Sequence, residues 1–379
     1  MSDNQKISNG VKVKIIGAGS IGNHLAQASR RMEWEVAIVD ADPKALERTR
    51  TDIYPKRYGA WDDAIQLFLA GEEPKGGFDI IMIGTPPDSH TKLALASIAE
   101  SPRLLHIEKP LATPDLAGIA EFEAAMRAHP DTIVTVGYDH AVAESTEFVR
   151  DTAASGAVGA IVTIDVEFRE HWRGIFGAHP WLAGPQDSYL GYWRRGGGAG
   201  GEHSHALHLW FFFARALGWG VLKESKAMFD IRKENGAEYD RLAAFLLKTD
   251  ADGMGRAPLE SHPDFVGTVD ATRVPSLTGR VVQDVITYPV RKWARLQGDK
   301  GYIEWICGGS PEGDLVRWQK EGEDAQEKVF AKKRPDDFYR ETMHYQKLLS
   351  GEIARENSSL IYDRGREVMA ILNEAYPLA

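Results

Sequence analysis

Cysteine is nearly absent from this chain of 379 residues, which has one, Cys307. An intramolecular disulfide and a CxxC redox or metal site are therefore excluded, and with no activating neighbour in sequence Cys307 reads as a core residue. Basic charge is also short. Against 55 Asp and Glu stand 45 Lys and Arg, a formal net charge of −10, and no basic stripe interrupts the acidic balance. A nucleic-acid partner is not expected, because binding a polyanion takes a basic face. No apolar run is long enough to span a bilayer. The longest, Leu207 to Leu222 (LHLWFFFARALGWGVL), carries His208 and Arg215 and reads as a buried helix, so no membrane partner is expected. The opening MSDNQKISNG lacks the apolar centre of a signal peptide, and a cytoplasmic location is expected. Internal repeats and low-complexity tracts are missing as well.

What remains is a globular composition, 43% apolar and 26% charged, rich enough in apolar residues to fold unconditionally. The length exceeds what one core usually serves, which predicts two domains with a cleft between them. Up to about Tyr138, short β-branched runs alternate with helical patterns, the mark of βαβ units and a parallel sheet. The predicted strands are Val13–Ile16, Val36–Val39, Ile80–Ile83, Leu104–Ile107 and Ile133–Val136, with a weaker one at Arg57–Tyr58. Helices are predicted over Ile21–Met32 and His90–Ala99. After residue 138 the pattern changes. A helix near Ala143–Ala154 and a strand over Val162–Glu167 lead into an aromatic, Gly-rich stretch. Strands are then predicted at Leu242–Leu247, Val281–Thr287, Tyr302–Trp305 and Leu315–Trp318, and two helices, Phe338–Leu349 and Gly365–Glu374, close the chain. Residues 251–275, rich in Gly, Pro and charge, read as a long loop. The domains are therefore expected at 1–138 and 139–379, with the closing helices free to pack back on the first.

Gly17-Ala18-Gly19-Ser20-Ile21-Gly22 follows the first strand directly and opens a helix. In that position Gly17 permits a tight turn, Gly19 lets a pyrophosphate approach the backbone, and Gly22 lets helix and strand pack closely. The helix start supplies free N–H groups and a positive dipole end. The second strand ends in Asp40, where an acid would accept hydrogen bonds from both adenosine ribose hydroxyls and repel a 2′-phosphate, favouring NAD over NADP. The competing reading is that Asp40 caps the following helix, for which Asp42-Pro43 is an equally good start. Gly84-Thr85-Pro86-Pro87 and Glu108-Lys109-Pro110 both follow strands and so emerge at the same carboxyl edge of the sheet. There Lys109 could hydrogen-bond a reacting hydroxyl and lower its pKa.

Taken together, VKVKIIGAGSIG, the strand-end Asp40, Ile83-Gly84-Thr85-Pro86-Pro87 with His90, and Ile107-Glu108-Lys109-Pro110-Leu111 resemble the glucose–fructose oxidoreductase, inositol dehydrogenase and rhizopine catabolism protein family. The resemblance covers the first 140 residues. It implies an α/β Rossmann amino-terminal domain plus an α+β carboxy-terminal domain with a large open, mostly antiparallel sheet whose face meets the nicotinamide. It implies that Thr85, Pro86, His90, Glu108 and Lys109 border the cofactor and that Lys109 is catalytic. It also places Tyr138 at the substrate, where the sheet hands over to the second domain, with Asp139-His140 in place of the more familiar Asn-His pair.

Family members carry a DxGxHxxD segment whose acid and histidine reach the substrate, and its counterpart here is GGGAGGEHSHALH, residues 196–208. Aligned on His205, the first acid falls at Gly201 and the last at His208, a departure from the pattern. His205 is the expected proton-transfer residue and His203 its rival; His208 either contacts substrate or packs. Glu202 supplies the missing carboxylate only if the turn is rearranged. Glu202, His203, His205 and His208 are also metal-ligand types, but the resembled family needs no metal and none is expected. Arg169, Trp193 and Arg194, within a run of Trp and Arg residues, suit the faces and hydroxyls of a sugar ring, although Trp in a core is equally ordinary.

The expected activity is hydride transfer between a secondary alcohol of a sugar, sugar derivative or cyclic polyol and NAD. A lyase or glycosidase that retains NAD and oxidises its sugar transiently is the alternative, and a non-catalytic NAD-binding sensor the third reading. A homodimer or homotetramer is expected, to cover the open sheet.

Overall fold

The computed structural model describes residues 10–177, 179–250 and 276–377. The loop expected at 251–275 lies outside the described residues. Six strands, β1 (Lys12–Ile16), β2 (Glu35–Asp40), β3 (Ile65–Leu69), β4 (Ile80–Ile83), β5 (Leu104–Ile107) and β6 (Ile133–Val136), form one parallel sheet in the order β3-β2-β1-β4-β5-β6. β4 and β5 are buried along their whole length, as strands covered on both faces must be, and each fully buried Ile or Leu adds roughly 2 kcal/mol. The chain order reverses between β1 and β4, so the carboxyl ends of these two strands frame the crevice in which such sheets bind ligands.

The helices α1 (Ser20–Arg31), α2 (His90–Ile98) and α3 (Ile119–Ala128) connect these strands. Arg57–Tyr58, predicted as a strand, instead ends a short helix, Tyr54–Tyr58. Tyr54 packs edge-on against both Tyr58 and Trp61, so the β-favouring aromatics are used for helix packing. The outer strand beside β2 is β3, a few residues later.

Past β6 and the helix α4 (Glu144–Ala154), eight strands make a second sheet: β7 (Ile161–Arg169), β8 (Val221–Glu234), β9 (Ala237–Asp250), β10 (Leu277–Asp284), β11 (Arg291–Gly298), β12 (Gly301–Ser310), β13 (Gly313–Lys320) and β14 (Gln326–Ala331). Their order is β14-β13-β12-β11-β7-β10-β9-β8, and only the β7–β10 pair is parallel. The predicted strand Val281–Thr287 is shifted, since β10 ends at Asp284. Three strands had no predicted counterpart. β8 and β14 are edge strands, charged and largely exposed, as edges that resist further pairing tend to be. In β11, RKWARLQG, the buried alternation is broken by the adjacent buried pair Trp293 and Ala294.

One face of this sheet is covered by α4, by α5 (Gly198–Glu202) and by α6 (His205–Ala216), whose residues from His205 to Ala214 are all buried. The run Leu207–Leu222, expected as one helix, leaves the helix after Ala216, and Val221 already belongs to β8. Gly218, at φ +79°, stands in the turn between them. Trp210 anchors α6 by donating its indole N–H to the Ile164 carbonyl (2.8 Å). The closing helices α7 (Arg334–Ser350) and α8 (Tyr362–Ala375) return to the first sheet. Arg31 on α1 pairs with Asp336 (2.9 Å) and lies 3.7 Å from the Tyr339 ring centre, and the Tyr345 hydroxyl meets His106 Nδ1 (2.6 Å). Among the described residues no helix is long and apolar enough to cross a membrane.

Candidate active site

The glycine-rich turn leaves β1 with Gly17 at φ +110°, a conformation that disfavours a side chain. A Cβ on Gly22 would lie 1.9 Å from the Gly17 carbonyl oxygen, so helix and turn touch backbone to backbone. Gly19 differs, because a Cβ there would meet no protein atom within 4 Å. Nothing in the folded chain requires glycine at that point, and the space left beside the start of α1 fits a group that approaches the backbone from outside. Asn23 holds the turn from within the helix by donating to the Gly19 carbonyl (2.8 Å). The Asp40 carboxylate accepts from the backbone N–H groups of Ala18 (2.7 Å) and Asp42 (2.8 Å). Helix capping falls to Asp42, which accepts from Lys44 N (2.9 Å). Asp40 is thus a half-exposed acid on the rim of the turn.

Arg57 donates to the Ser20 hydroxyl (2.8 Å) and brings a cation to the α1 N-terminus. Sequence reading assigned it no role, having placed it in a strand. At the next strand end, His90 is fully buried, with Nε2 2.7 Å from the Thr85 carbonyl and Nδ1 3.0 Å from that of Pro110. Burial lowers its pKa. The ring links the loop after β4 to the loop after β5 and is shut off from solvent. Thr85 is held by Ser89 (2.7 Å between hydroxyl oxygens).

A cleft of about 810 Å³ runs from Ser20 and Ile21 to the second sheet. Lys109 lines it and donates from Nζ to the Glu202 carbonyl (2.8 Å) and to Glu202 Oε2 (3.1 Å). Glu202 is pushed up by burial, but Lys109 and then His203 outweigh this and the net direction is down, so its carboxylate is ionised beside the ammonium. The register question raised by the motif has a steric answer. A Cβ at Gly201 would lie 2.0 Å from the Gly196 carbonyl oxygen, which excludes an acid there, and the carboxylate comes from the next residue. Glu108 turns the other way. Its Oε1 lies 3.5 Å from His106 Nε2 and its Oε2 accepts from Lys109 N (3.2 Å), beneath the cleft rather than along it.

His203 and His205 both line the cleft, as do His140 and Lys292. Burial, partly offset by Glu202, brings the His203 pKa down to about 4, and its Nε2 has no hydrogen-bond partner. Burial holds His205 well below the usual range, although Asp139 opposes this, and its Nδ1 lies 3.6 Å from Asp139 Oδ1. Both rings are neutral near pH 7. His208 faces away from the cleft: it stacks on Tyr138 with ring centres 4.1 Å apart, and its Nε2 lies 2.9 Å from the Ser359 carbonyl.

Several residues expected at the substrate are not brought there. Tyr138 is buried under His208. Trp193 is buried and stacks on Tyr376, and the exposed Arg194 lies over its ring. Arg169 is engaged by Asp284 (2.6 Å) and Glu167 on the sheet. Of the tryptophans in this run, Trp181 lines the cleft, whereas Trp172, Trp193, Trp210 and Trp219 are buried. Cys307, read as core, is partly buried on the cleft wall, where burial raises its thiol to about 12. The set Glu202, His203, His205 and His208 does not converge on one point. Among the described residues the groups whose ligand atoms do are Asp139 with His140 and His205, and the buried His106 with Glu108 and Glu341.

Under the glycine-rich helix α5, Asp240 is wholly buried and accepts from Gly200 N (2.7 Å) and the Tyr376 hydroxyl (2.9 Å). Burial pushes its carboxyl up to about 7. The folded chain therefore keeps a proton that the unfolded chain releases near pH 4, and stability falls as pH rises from about 4 to about 7. Asp240→Asn, which cannot ionise, should melt several degrees above the parent at pH 8, with the gap narrowing as pH is lowered. Thermal melts followed by circular dichroism check this, and a gap independent of pH counts against it.

A six-stranded parallel sheet in this order, with a glycine turn open to a ligand and a strand-end acid on its rim, defines a dinucleotide-binding domain. Residues 11–138 match the sequence model described as the oxidoreductase family with an NAD-binding Rossmann fold. It is the family to which the sequence motifs pointed, and NAD is its cofactor. No curated protein matches the sequence. Similar solved structures include an oxidoreductase from Sinorhizobium meliloti (17% identity, 96% of this chain and 95% of that one, TM-score 0.66). Another is an inositol dehydrogenase homologue from Azotobacter vinelandii complexed with NADH and myo-inositol (15%, 96% and 94%, 0.66). A third is an aldose–aldose oxidoreductase from Caulobacter crescentus complexed with glycerol (17%, 97% and 96%, 0.65). At these identities the likeness is one of fold, and it extends through both sheets.

Proposed function

We propose that the chain is an NAD-dependent dehydrogenase that interconverts a secondary alcohol of a sugar, sugar derivative or cyclic polyol with its ketone. The observation that carries this reading is a single cleft with the dinucleotide turn at one end and Lys109, Glu202 and His205 in its wall. When bound, NAD supplies the acceptor for the hydride lost from the alcohol carbon. Lys109 donates a hydrogen bond to the alcohol oxygen and favours its ionisation, and Glu202 orients the ammonium. His205, neutral through the physiological range, takes the hydroxyl proton, and the same groups act in reverse on reduction. His203, with its unpartnered nitrogen in the same wall, is the rival acceptor. The myo-inositol bound in one similar structure, and the name of another as an aldose–aldose oxidoreductase, support the choice of substrate class.

The test is to incubate the purified protein with NAD+ and a panel of sugars, sugar acids and inositols while following both reduced cofactor and substrate. Formation of NADH with one compound supports the proposal and names its substrate. Consumption of a sugar without NADH refutes net dehydrogenation and points to the retained-cofactor reading.

Asp40 is the residue proposed to select NAD. Asp40→Ala should weaken NAD+ binding by about tenfold, the worth of a hydrogen bond to a charged group, and raise the affinity for NADP+ relative to NAD+. Because Asp40 also braces the glycine turn, the ratio of the two affinities is the informative quantity. An unchanged ratio in parallel titrations removes Asp40 from ribose recognition.

A further inference from the structure

The proposed chemistry uses His205 but leaves unexplained a carboxylate buried directly behind it. Asp139, 3% exposed, follows the end of β6. One of its oxygens, Oδ2, accepts from Arg334 at the start of α7 (2.9 Å). The other, Oδ1, has no hydrogen-bond partner, and neither has His205 Nδ1, 3.6 Å away. Two buried, unpaired polar atoms facing one another are costly unless they share a proton, and the N–H of a neutral imidazole is the proton available. His140 completes the enclosure. Its ring packs edge-on against His205 (5.0 Å between centres, 82°), and its Nε2 lies 3.9 Å from the same Asp139 oxygen.

We propose that Asp139 is a positioning residue that fixes the tautomer of His205. Its Oδ1 receives the proton of Nδ1, and Nε2 is left as the nitrogen that takes the substrate proton. This rests on the reading of His205 as proton acceptor. Arg334 gives the arrangement its direction. By occupying Oδ2 from a different helix, it holds the carboxylate in one rotamer with Oδ1 aimed at the ring. Distances of this kind are commonly loose before a complex forms and tighten in it. Around the ring, Asp139 favours the imidazolium, whereas burial, His140, Lys109 and Arg334 oppose it. The acceptor is therefore kept neutral until substrate delivers its proton.

Asp139, His140 and His205 are also ligand types for a divalent cation. The surroundings favour a proton instead. Lys109, Lys292, Lys332 and Arg334 all line the same cleft, and Arg334 already holds one carboxylate oxygen.

Substitution of Asp139 by Asn makes a sharp prediction. The guanidinium of Arg334 demands the amide oxygen on its side, so the NH2 group of the substituted side chain would face His205 Nδ1, and the histidine proton should move to Nε2. Ring nitrogen NMR of the cofactor-free protein labelled with 15N-histidine reads the tautomer without turnover, and His205→Gln assigns the signal. We expect His205 protonated on Nδ1 in the parent and on Nε2 in Asp139→Asn. In turnover, kcat should be about 10²-fold lower in Asp139→Asn and partly restored in Asp139→Glu, with KM and NAD+ affinity little changed. An Nε2–H tautomer in the parent overturns the proposal even if the variant does not fold. So does a tautomer unchanged by the substitution, or a shift of the His205 signals on adding zinc that is lost in Asp139→Asn. Undiminished turnover in His205→Asn would instead sink the acceptor role, a different failure, because the tautomer is measured independently of it.

Discussion

Replacing Lys109 by methionine should lower kcat by about 10³-fold while changing the affinity for NAD+ by no more than about twofold, because in the proposed reaction the ammonium acts on the developing alkoxide and not on the dinucleotide. Methionine keeps most of the side-chain volume, so the comparison isolates charge and hydrogen bonding. The ammonium is bound to one anchor, Glu202, through both its carbonyl and its carboxylate. Removing it leaves that carboxylate partly buried without its counter-charge, and the Glu202 pKa should rise from its present lowered value. Steady-state kinetics with the best substrate of the panel, together with cofactor titration, check the prediction. A variant with near-parental kcat rules out Lys109 as the polarising group, whereas an equal loss of cofactor affinity would mean that its role is in binding.

The second large effect is expected at Gly22. Its α-hydrogen faces the Gly17 carbonyl oxygen so closely that a methyl group would lie 1.9 Å from it. Gly22→Ala must open the turn, and the resulting misplacement of order an ångström should cost about 10²-fold in NAD+ affinity and lower the melting temperature of the cofactor-free protein. Gly19→Ala is the informative partner. A methyl group there meets no protein atom, so the melting temperature should stay at the parental value while NAD+ binding still weakens. Loss of stability in both variants would mean that the second glycine serves packing, and equal NAD+ affinity in Gly19→Ala and the parent would remove the pyrophosphate from that position.

Much of the first sheet was legible in the sequence, for a physical reason. Its inner strands are covered on both faces and therefore read as apolar runs, as at Ile80–Ile83 and, His106 apart, Leu104–Ile107. Each signature loop directly follows such a strand, which is why Gly17, Asp40, Thr85 and Lys109 could be placed on one edge. The exceptions are instructive. Tyr58 looked like part of a strand because aromatics favour strands, and packing against Tyr54 settled the choice for helix. Charged edge strands such as β8 and β14 have no buried face from which a period could be read.

The site itself divides along the same line. Local spacing determined the dinucleotide turn, the strand-end acid, the lysine after β5 and a histidine cluster near residue 205, because each depends on a few consecutive residues and the element they follow. Which of those histidines meets the cleft could not follow from spacing. His203 and His205 line it and His208 turns to Tyr138, through the break between α5 and α6 and the packing of α6 on the second sheet. The tertiary structure alone joined Lys109 to Glu202, residues 93 positions apart. It alone brought Arg334, from the first turn of a helix nearly 200 positions downstream, onto Asp139 behind His205. A sequence pattern records what each residue prefers locally, whereas a buried charge or an unpaired nitrogen acquires its meaning from the partner that folding sets beside it.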